Sequence, residues 1–176
     1  MDIKELLDQF TLFDPAKGQR ADLPAVEGNY IVVLKAGCNI PDVLGNFKYT
    51  EISLHGVDYR VLYIGIASDL KRRIWTNHLH GNGGNSTLRK TLGSLFGYQK
   101  IPRDKNYQIN KKTKFGAEDE NSLTAWMECN LLFAYLANDK SKELESFLID
   151  SLLPPLNVEG SKAATLKRVH ELRCDK

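Results

Sequence analysis

The chain lacks the features that mark secreted, zinc-bound and membrane proteins. Its three cysteines, Cys38, Cys129 and Cys174, are odd in number and have no CxxC spacing, which argues against a disulfide framework and a zinc ribbon. The N-terminus has no apolar core of the signal-peptide kind, and the longest apolar runs, such as 131–137, are far too short to span a bilayer. These absences predict a cytoplasmic protein with reduced thiols and no membrane partner.

Hydrophobic residues make up 42% of the 176 residues and charged residues 26%, which suits one domain or one domain with an appendage. Apolar segments predict three buried strands, at 28–34, 59–66 and 130–137. The weakly alternating segment 48–54 allows one additional edge strand. Together with the helical patterns below, these segments predict the α/β (α+β) class.

The helical patterns set the organisation of the chain. Apolar spacing predicts helices directly after the second strand, after a cap at Ser86 or Thr87, from Ser141 to Leu152, and in the tail. The polar segment between the second of these helices and the third strand is expected to be a long surface loop. The predicted layout is an N-terminal arm (1–27), a central domain (28–158) with insertions at 35–58 and 98–120, and a C-terminal helix packed on that domain (159–176).

Acidic residues are almost absent from the middle of the chain. The segment 71–114 contains eleven lysines and arginines against one acid, Asp104, so it carries a net charge of +10 while the rest of the chain carries −8. Such asymmetry is expected of a surface that binds a polyanion. It is equally expected of a solvated basic loop.

The segment 60–80 combines a strand, a tight turn and a basic helix. Its β-branched first half predicts the strand, and Ser68 or Asp69 can cap the helix that follows. The strand carries Tyr63, and the helix carries Arg73 with two histidines near its end. A phenol, a guanidinium and imidazoles in a small volume predict a phosphate-handling site.

One carboxylate falls on an apolar helix face. On a helical wheel of the segment that begins at Ser141, Glu145 lies within the arc of apolar residues, whereas Glu143 and Asp150 lie on the solvent side. Burying an ionised carboxylate costs several kcal/mol unless it is paired or binds a cation. Glu145 is therefore either part of a structural ion pair with a lysine or arginine, or a ligand of a divalent metal such as Mg²⁺.

Taken in order, these motifs resemble the GIY-YIG nuclease superfamily. The segment 145–157 is similar to the closing segment of the nuclease domain in bacterial excision-repair endonucleases. The resemblance spans 28–158. It is carried by Gly28-Asn29-Tyr30, by Tyr63-Ile64-Gly65, by Arg73 ten residues after Tyr63, by Glu145, and by Pro154-Pro155-Leu156-Asn157.

The resemblance implies a small three-stranded antiparallel sheet flanked by helices, and an enzyme that cuts a DNA strand with one Mg²⁺ or Mn²⁺ ion. Tyr30 and Tyr63 would lie beside the scissile phosphate, and one of them, by preference Tyr30, would orient or deprotonate the attacking water. Arg73 would stabilise the charge that grows on the phosphate. Glu145 would hold the metal ion, and Asn157 would fix the site or touch the substrate.

Two positions depart from the family pattern. Asn29 replaces the usual apolar centre of the first tripeptide. Members of the family often carry histidine or tyrosine four residues after the arginine, and here that position is Asn77. On an α-helical wheel His78 points about 140° away from Arg73, which favours packing over catalysis. His80, in the following loop, is the other candidate for the acid-base group. A zinc site on these two histidines lacks further ligands.

The sequence thus predicts a stand-alone metal-dependent endonuclease with DNA as its partner, and the basic connection at 98–114 as an arm that contacts phosphates. A first alternative, suggested by Asn77, is a nucleic-acid-binding protein of the same fold that has lost efficient cleavage. A second is a protein-interaction module whose basic face meets an acidic partner. The catalytic candidates are Tyr30, Tyr63, Arg73, His78, Glu145 and Asn157, and the candidate nucleic-acid contacts are Lys71, Arg72, Arg89, Lys90, Lys111 and Lys112.

Overall fold

A five-stranded antiparallel sheet forms the centre of the molecule, and two further strands form a separate sheet. The computed structural model describes residues 2–41, 47–158, 160 and 166–174. The strands are β1 (Thr11–Phe13), β2 (Gly28–Leu34), β3 (Glu51–Leu54), β4 (Val57–Ala67), β5 (Lys100–Pro102), β6 (Thr113–Phe115) and β7 (Leu131–Ala137). The large sheet has the order β1-β7-β2-β4-β3, and β5 pairs with β6.

Helices cover both faces of the large sheet. The segment after β4 is a π-helix (Arg72–Leu79), and a short 3₁₀-helix (Arg20–Asp22) precedes β2. Among the described residues, no helix is both long enough and apolar enough to cross a bilayer. The α-helices are α1 (Ile3–Leu7), α2 (Thr87–Leu95), α3 (Tyr107–Asn110), α4 (Ala117–Asn130), α5 (Ser141–Leu152) and α6 (Leu166–Cys174).

The predicted number of three strands is wrong, because the large sheet has five. The predicted strands correspond to β2, β4 and β7, and the expected edge strand is β3, which forms a hairpin with β4 through a turn at His55 and Gly56. The fifth strand, β1, comes from the N-terminal arm and pairs with β7, with Thr11 opposite Tyr135. A strand of three residues is too short to show a detectable period.

The prediction of a long surface loop at 98–120 is also wrong. This segment folds into β5, α3, β6 and the start of α4, with Lys100 opposite Phe115 in the small sheet. The Phe115 side chain is buried, and its ring centre lies 5.9 Å from that of Tyr98. The two strands have three residues each and one ends at Pro102, so the sequence offers almost no alternation from which to predict them.

Strand β2 is buried along its whole length because it lies between β4 and β7. Successive residues of a strand point to opposite faces, so Tyr30 and Val32 join the core under the π-helix, α2, α4 and α6. Ile31 and Val33 join the core under α1 and α5. The two cores lie on opposite faces of the sheet. Helix α5, which belongs to the second core, packs beside β2.

Helix α6 is attached to the rest of the molecule by both apolar and polar contacts. Val169 is buried in the core that also contains helix α2, and Leu172 packs against that core. The Lys100 ammonium donates a hydrogen bond to the Leu172 carbonyl, which ties β5 to the end of α6. Parts of the predicted segments 35–58 and 159–176 lie outside the described residues, namely 42–46, 159, 161–165 and 175–176.

Candidate active site

Two tyrosines lie side by side on neighbouring strands. In the register of β2 and β4, Tyr30 is opposite Gly65, and Val32 is opposite Tyr63. Residues two apart in a strand share a face, so Tyr63 and Gly65 face the same side as Tyr30. The two ring centres are 6.2 Å apart. Strand pairing therefore places both motif phenols at one end of the sheet.

Glycine at position 65 makes room for the Tyr30 phenol. A Cβ atom built on Gly65 would lie 2.6 Å from Tyr30 Cζ, well inside the 3.5–4.0 Å at which carbon atoms attract. A Cβ atom on Gly28 would similarly lie 2.8 Å from Leu70 Cδ1, the first apolar side chain after the turn. The glycines of both tripeptides thus allow close approaches that any side chain would prevent.

The π-helix brings Arg73 and His78 to the same phenol. Arg73 Nε donates to the Tyr30 hydroxyl oxygen at 3.3 Å, and His78 Nε2 lies 2.8 Å from that oxygen. A π-helix bonds residue i to residue i+5, so residues five apart lie near one another on one face. The prediction that His78 points away from Arg73 is wrong because it assumed α-helical spacing. Asn77, at the position usual for the family, lines an adjoining cavity that also contains Asp69 and Arg73.

His78 is held from its other side by Ser86. Its Nδ1 lies 2.6 Å from Ser86 Oγ, which also accepts a hydrogen bond from the Arg89 backbone N–H at 3.1 Å. Burial, together with Arg73 and Arg89 nearby, lowers the pKa of His78 well below its ordinary value. The imidazole is therefore neutral at pH 7 and is able to accept a proton.

His80, the other candidate for an acid-base group, faces a different part of the molecule. Its ring centre lies 4.5 Å from that of Trp75, and its Nε2 lies 3.8 Å from a carboxylate oxygen of Glu128. His80 is thus engaged with the side of the molecule that carries α4, and the contact with Tyr30 is made by His78.

Burial raises the pKa of both phenols. Desolvation is the largest cause for Tyr30, and the nearby Tyr63 adds to it, while the Arg73 guanidinium opposes the shift. Desolvation likewise raises the pKa of Tyr63 against the effect of Arg73. Both side chains are therefore neutral at pH 7. A phenol in this state can take a proton only if its own proton has somewhere to go, and for Tyr30 the neighbouring acceptor is His78.

Helix α5 carries Glu145 to the same place. The helix packs on the sheet through Leu144 and Leu148, and Glu145, one residue from Leu144, reaches the cavity while only partly exposed. Its charge is close enough to raise the pKa of both Tyr30 and Tyr63. Glu145 therefore lies where the apolar face of α5 meets the polar cavity.

Asn29 anchors the start of helix α5. Its amide nitrogen donates to the Ser141 carbonyl at 2.7 Å, and its amide oxygen accepts from Asn138 Nδ2 at 2.9 Å. Ser141 Oγ in turn donates to Glu27 Oε1 at 2.6 Å. Asn29 is fully buried. At a position where the family usually has an apolar residue, this chain has a buried polar link between β2 and the helix that carries Glu145.

Asn157 acts like an additional strand neighbour of β4. Its amide oxygen accepts from the Ile64 N–H at 2.9 Å, and its amide nitrogen donates to the Ile64 carbonyl at 2.8 Å. Both bonds are made at the middle residue of the second tripeptide. The segment that contains Pro154 and Pro155 thus holds the backbone between Tyr63 and Gly65.

One cavity of about 420 Å³ collects these side chains. It is lined by five of the six catalytic candidates, while the sixth, His78, lies behind Tyr30. Other lining residues were not identified from the sequence, because Thr87, Lys142 and Ser146 belong to no motif and Arg173 lies in the tail. Ser86 was predicted only as a helix cap, and its contact with His78 carried no sequence signal. The catalytic candidates that line the cavity are Tyr30, Tyr63, Arg73, Glu145 and Asn157.

The donor set of this cavity can be compared with the needs of a metal ion. Glu145 is the only carboxylate among the described residues that line it. In the described parts of the chain, no group of three or more histidine, cysteine, aspartate or glutamate side chains could hold a metal by itself. Mg²⁺ is usually bound by one or two carboxylates, with water and substrate phosphates completing its shell. The site therefore fits Mg²⁺ or Mn²⁺ shared with a phosphate, and it does not fit structural zinc.

Arg89 is wrongly predicted as a nucleic-acid contact, because it is fully buried. Its Nε and Nη2 donate to Glu120 Oε2 at 3.0 and 2.8 Å, and its Nη1 donates to the carbonyls of His78 and Leu79 at 2.9 and 2.8 Å. Glu120 Oε1 accepts from the Gly83 N–H at 2.7 Å. This ion pair fastens α2 to α4 and holds the end of the π-helix and the loop after it.

The other five candidate nucleic-acid contacts reach the surface. Arg72, Lys111 and Lys112 are exposed, and Lys71 and Lys90 are partly exposed. Arg72 lies at the start of the π-helix, Lys111 and Lys112 lie between α3 and β6, and Lys90 lies on α2. Lys90 and Lys112 line a cavity that shares Thr87 and Arg173 with the central one, and Arg72 lines a cavity that shares Arg73 with it.

Comparison with known protein families gives a match over most of the chain. A family model described as the GIY-YIG catalytic domain matches residues 28–175. The matched region includes both tyrosine strands, the π-helix, α5 and also α6. No curated protein and no solved structure gives a significant match.

Proposed function

Because the chain belongs to the GIY-YIG family, whose members are nucleases, we propose that it is a divalent-metal-dependent endonuclease that hydrolyses phosphodiester bonds of DNA. The observation that carries this proposal is convergence on one cavity. A guanidinium (Arg73), a carboxylate (Glu145) and a phenol hydrogen-bonded to a neutral imidazole (Tyr30 and His78) meet there. These are the groups that charge stabilisation, metal binding and proton transfer require.

Arg73 binds the scissile phosphate. Its guanidinium stays charged at any working pH and offers a planar fork that matches two phosphate oxygens. Its Nε bond to Tyr30 and its Nη1 bond to the Asn85 carbonyl, at 3.5 Å, orient the fork toward the cavity. Since the donors are already in place, they can stabilise the additional negative charge of the transition state without reorganisation.

Tyr30 and His78 accept the proton of the attacking water. The water lies next to the Tyr30 hydroxyl, and as its proton moves to that oxygen the phenol passes its own proton to His78 Nε2. His78 Nδ1–H then donates to Ser86 Oγ, which fixes the tautomer. This route avoids a free phenolate, which the burial of Tyr30 disfavours, and the lowered pKa of His78 means that the imidazole holds the proton only transiently. Tyr63, on the same face, donates to a phosphate oxygen.

Glu145 holds the divalent ion, either Mg²⁺ or Mn²⁺. When bound, such an ion polarises a phosphate oxygen and neutralises the charge on the leaving oxygen. The protein's own contribution is to hold the carboxylate at a fixed place, through the packing of α5 and the link from Asn29 to Ser141. Asn157 keeps the Tyr63 strand in register with the cavity.

DNA is the proposed partner because Arg72, Lys90 and Lys112 line cavities that adjoin the central one and a phosphodiester backbone is a polyanion. Arg72, Lys71 and the lysines between α3 and β6 form a basic margin that contacts phosphates independently of sequence. We place the activity in the cytoplasm, on the odd cysteine count and the spacing that argues against a disulfide framework.

A plasmid nicking assay tests the proposal. Supercoiled plasmid is incubated with protein and Mg²⁺, Mn²⁺ or EDTA, and nicked product is followed over time. We expect cleavage with either metal and none with EDTA. Arg73→Ala and Glu145→Gln should each lower the rate by about 10²-fold or more, since each removes charge stabilisation of the transition state. The matched controls Arg20→Ala and Glu143→Gln change exposed residues outside the cavity and should keep the wild-type rate.

Other outcomes would point to other functions. Binding without cleavage in every metal would favour a nucleic-acid-binding protein that has lost catalysis. The sequence argument for this alternative was Asn77, and the contact of His78 with Tyr30 weakens it. DNA binding that does not change with salt would favour a protein-interaction module, because phosphate contacts release counterions.

A further inference from the structure

A second cavity, which we call the anion pocket, adjoins the catalytic one. Its volume is about 260 Å³, several times the roughly 30 Å³ of a water molecule. Its lining includes Gly83, Gly84 and three cationic side chains. Thr87 and Arg173 line both cavities, so the two lie next to each other. The cationic residues that line the anion pocket are Lys90, Lys112 and Arg173.

Two of these cations, Lys90 and Lys112, have no carboxylate partner in the described part of the chain. Lys90 is only partly exposed, and its burial together with the nearby Arg173 and Lys100 lowers its pKa. Like charges that are held close together raise the free energy of the empty site, and an anion in the pocket would lower it.

Helix α6 supplies the residue shared by the two cavities. Val169 and Leu172 fix the helix on the core, and the Lys100 bond to the Leu172 carbonyl holds its last turn. Arg173 follows directly and is close enough to Tyr63 to lower the pKa of that phenol. A guanidinium has five N–H donors, so one edge can face the catalytic cavity while the other faces the anion pocket.

Glycine residues keep the wall of the anion pocket close to its neighbours. A Cβ atom on Gly83 would lie 2.9 Å from the Phe115 ring, and one on Gly84 would lie 2.6 Å from Arg103 Cγ. The loop can therefore press against the small sheet, where Lys112 immediately precedes β6. The buried pair of Arg89 and Glu120 holds the same loop through the Gly83 N–H.

We propose that the anion pocket binds the phosphate next to the scissile phosphate on the strand that is cut, with Lys90, Lys112 and Arg173 as its donors. The inference rests on the proposed nuclease function. It adds that the substrate strand runs from the catalytic cavity past Arg173 toward the small sheet. The strand is thus held at two successive phosphates, which positions the bond to be cut.

A binding measurement tests the pocket independently of cleavage. In an Arg73→Ala background, the affinity for a DNA duplex is measured between 50 and 200 mM salt, with and without Lys90→Gln and Lys112→Gln together. We expect the slope of log affinity against log salt to become shallower by about 1, the effect of one lost phosphate contact. The pair Lys4→Gln and Lys17→Gln removes the same charge from exposed sites outside both cavities and should leave the slope unchanged. An equal slope in the pocket variant and its background would overturn the proposal.

A cleavage measurement locates the phosphate. Once the cut site in a duplex is mapped, single neutral methylphosphonates are placed at each flanking linkage of the cut strand. The neutral linkage on one side should slow wild-type cleavage about tenfold or more and should slow the Lys90→Gln, Lys112→Gln variant less than twofold. Equal sensitivity of both proteins at every position would contradict the proposal. Failure of the wild type to cut at all would refute the nuclease function, and the salt slopes would still show whether the anion pocket binds a phosphate.

Should the double variant unfold in a thermal melt, Lys112→Gln alone, at an exposed position, serves in both measurements.

Discussion

His78 Nε2 lies 2.8 Å from the Tyr30 hydroxyl, although His78 follows Arg73 by five residues and not by four. The π-helix makes this contact possible, since its i to i+5 bonding returns the fifth residue to the face of the first. A chain with one more residue between arginine and histidine than the family pattern thereby brings both side chains to the Tyr30 hydroxyl. The π-helical backbone compensates for the additional residue, and the sequence pattern of side chains does not reveal this backbone geometry.

The first prediction concerns which residue of the pair 77 and 78 supports cleavage. His78→Ala should lower the nicking rate by about 10²-fold or more, because it removes the group that receives the Tyr30 proton. Asn77→Ala should leave the rate within twofold, since Asn77 does not line the cavity that contains Tyr30 and Glu145. Cleavage rates of both variants at saturating metal provide the measurement. A large loss in Asn77→Ala with little change in His78→Ala would show that the π-helix does not set the catalytic pair.

The second prediction concerns stability against pH. The folded-state pKa of His78 is lowered by burial and by two nearby arginines, whereas in the unfolded chain it is about 6.5. Below that pH the unfolded chain binds a proton that the folded chain does not, so stability falls as pH falls. His78 should contribute a slope of up to about 1.4 kcal/mol per pH unit between pH 6 and 5. Urea unfolding at several pH values measures it.

His78→Gln provides the comparison for this slope. Glutamine can still hydrogen-bond to Tyr30 but does not titrate, and all other carboxylates and histidines are shared with the wild type. The variant should therefore lose less stability on acidification than the wild type does. Parallel curves for the two proteins would mean that His78 is protonated equally in the folded and unfolded chain, which its burial does not permit.

The sequence predicted the parts of the molecule that depend on long periodic segments. Strands β2, β4 and β7 and helix α5 have enough apolar residues to identify them. The wheel of α5 placed Glu145 within the apolar arc, and the side chain is partly exposed where that helix meets the cavity. Strand β1 and the small sheet were missed because three-residue strands show no period. Arg89 was misjudged because a helix pattern does not reveal that a neighbouring helix supplies Glu120, and only tertiary contacts bring the two together.

The third prediction tests the space that Gly65 leaves for Tyr30. Gly65→Ala places a methyl group within 3 Å of the phenol, so the Tyr30 ring must move. We expect a loss of about 1–3 kcal/mol in stability, typical of overpacking, and a loss of cleavage beyond that explained by unfolding. Gly116→Ala is the matched control, because its Cβ atom would meet nothing within 4 Å. Wild-type cleavage by Gly65→Ala would show that the position of Tyr30 is not critical.

The fourth prediction separates a structural role of Arg89 from a role in binding. Arg89→Met leaves the buried Glu120 carboxylate without its partner and should cost about 3–5 kcal/mol of stability. Adding Glu120→Gln removes the unpaired charge and should restore part of that loss. Arg72→Met, at an exposed site, should change stability by less than about 0.5 kcal/mol. Chemical denaturation gives all three values. Unchanged stability with weaker DNA binding in Arg89→Met would support the phosphate contact that the burial of Arg89 contradicts.

The fifth prediction decides whether Asn157 fixes the site or touches the substrate. Its side-chain amide makes two hydrogen bonds to the Ile64 backbone. Asn157→Leu therefore leaves the buried N–H and the buried carbonyl of Ile64 without partners. Each unsatisfied group costs about 1–3 kcal/mol, so stability should fall by about 2 kcal/mol or more. Asn157→Asp keeps the acceptor for the Ile64 N–H but faces the Ile64 carbonyl with a carboxylate, and it should also be destabilised.

Kinetics of the Asn157 variants complete this test. If Asn157 acts through the strand, displacement of Tyr63 and Gly65 lowers kcat, while KM for DNA stays near the wild-type value because the basic margin is intact. If Asn157 instead contacted the substrate, Asn157→Leu would raise KM while leaving the unfolding free energy close to that of the wild type. The hydrogen bonds to Ile64 occupy the amide oxygen and one amide N–H, so they favour the first result. The combination of denaturation and steady-state rates distinguishes the two.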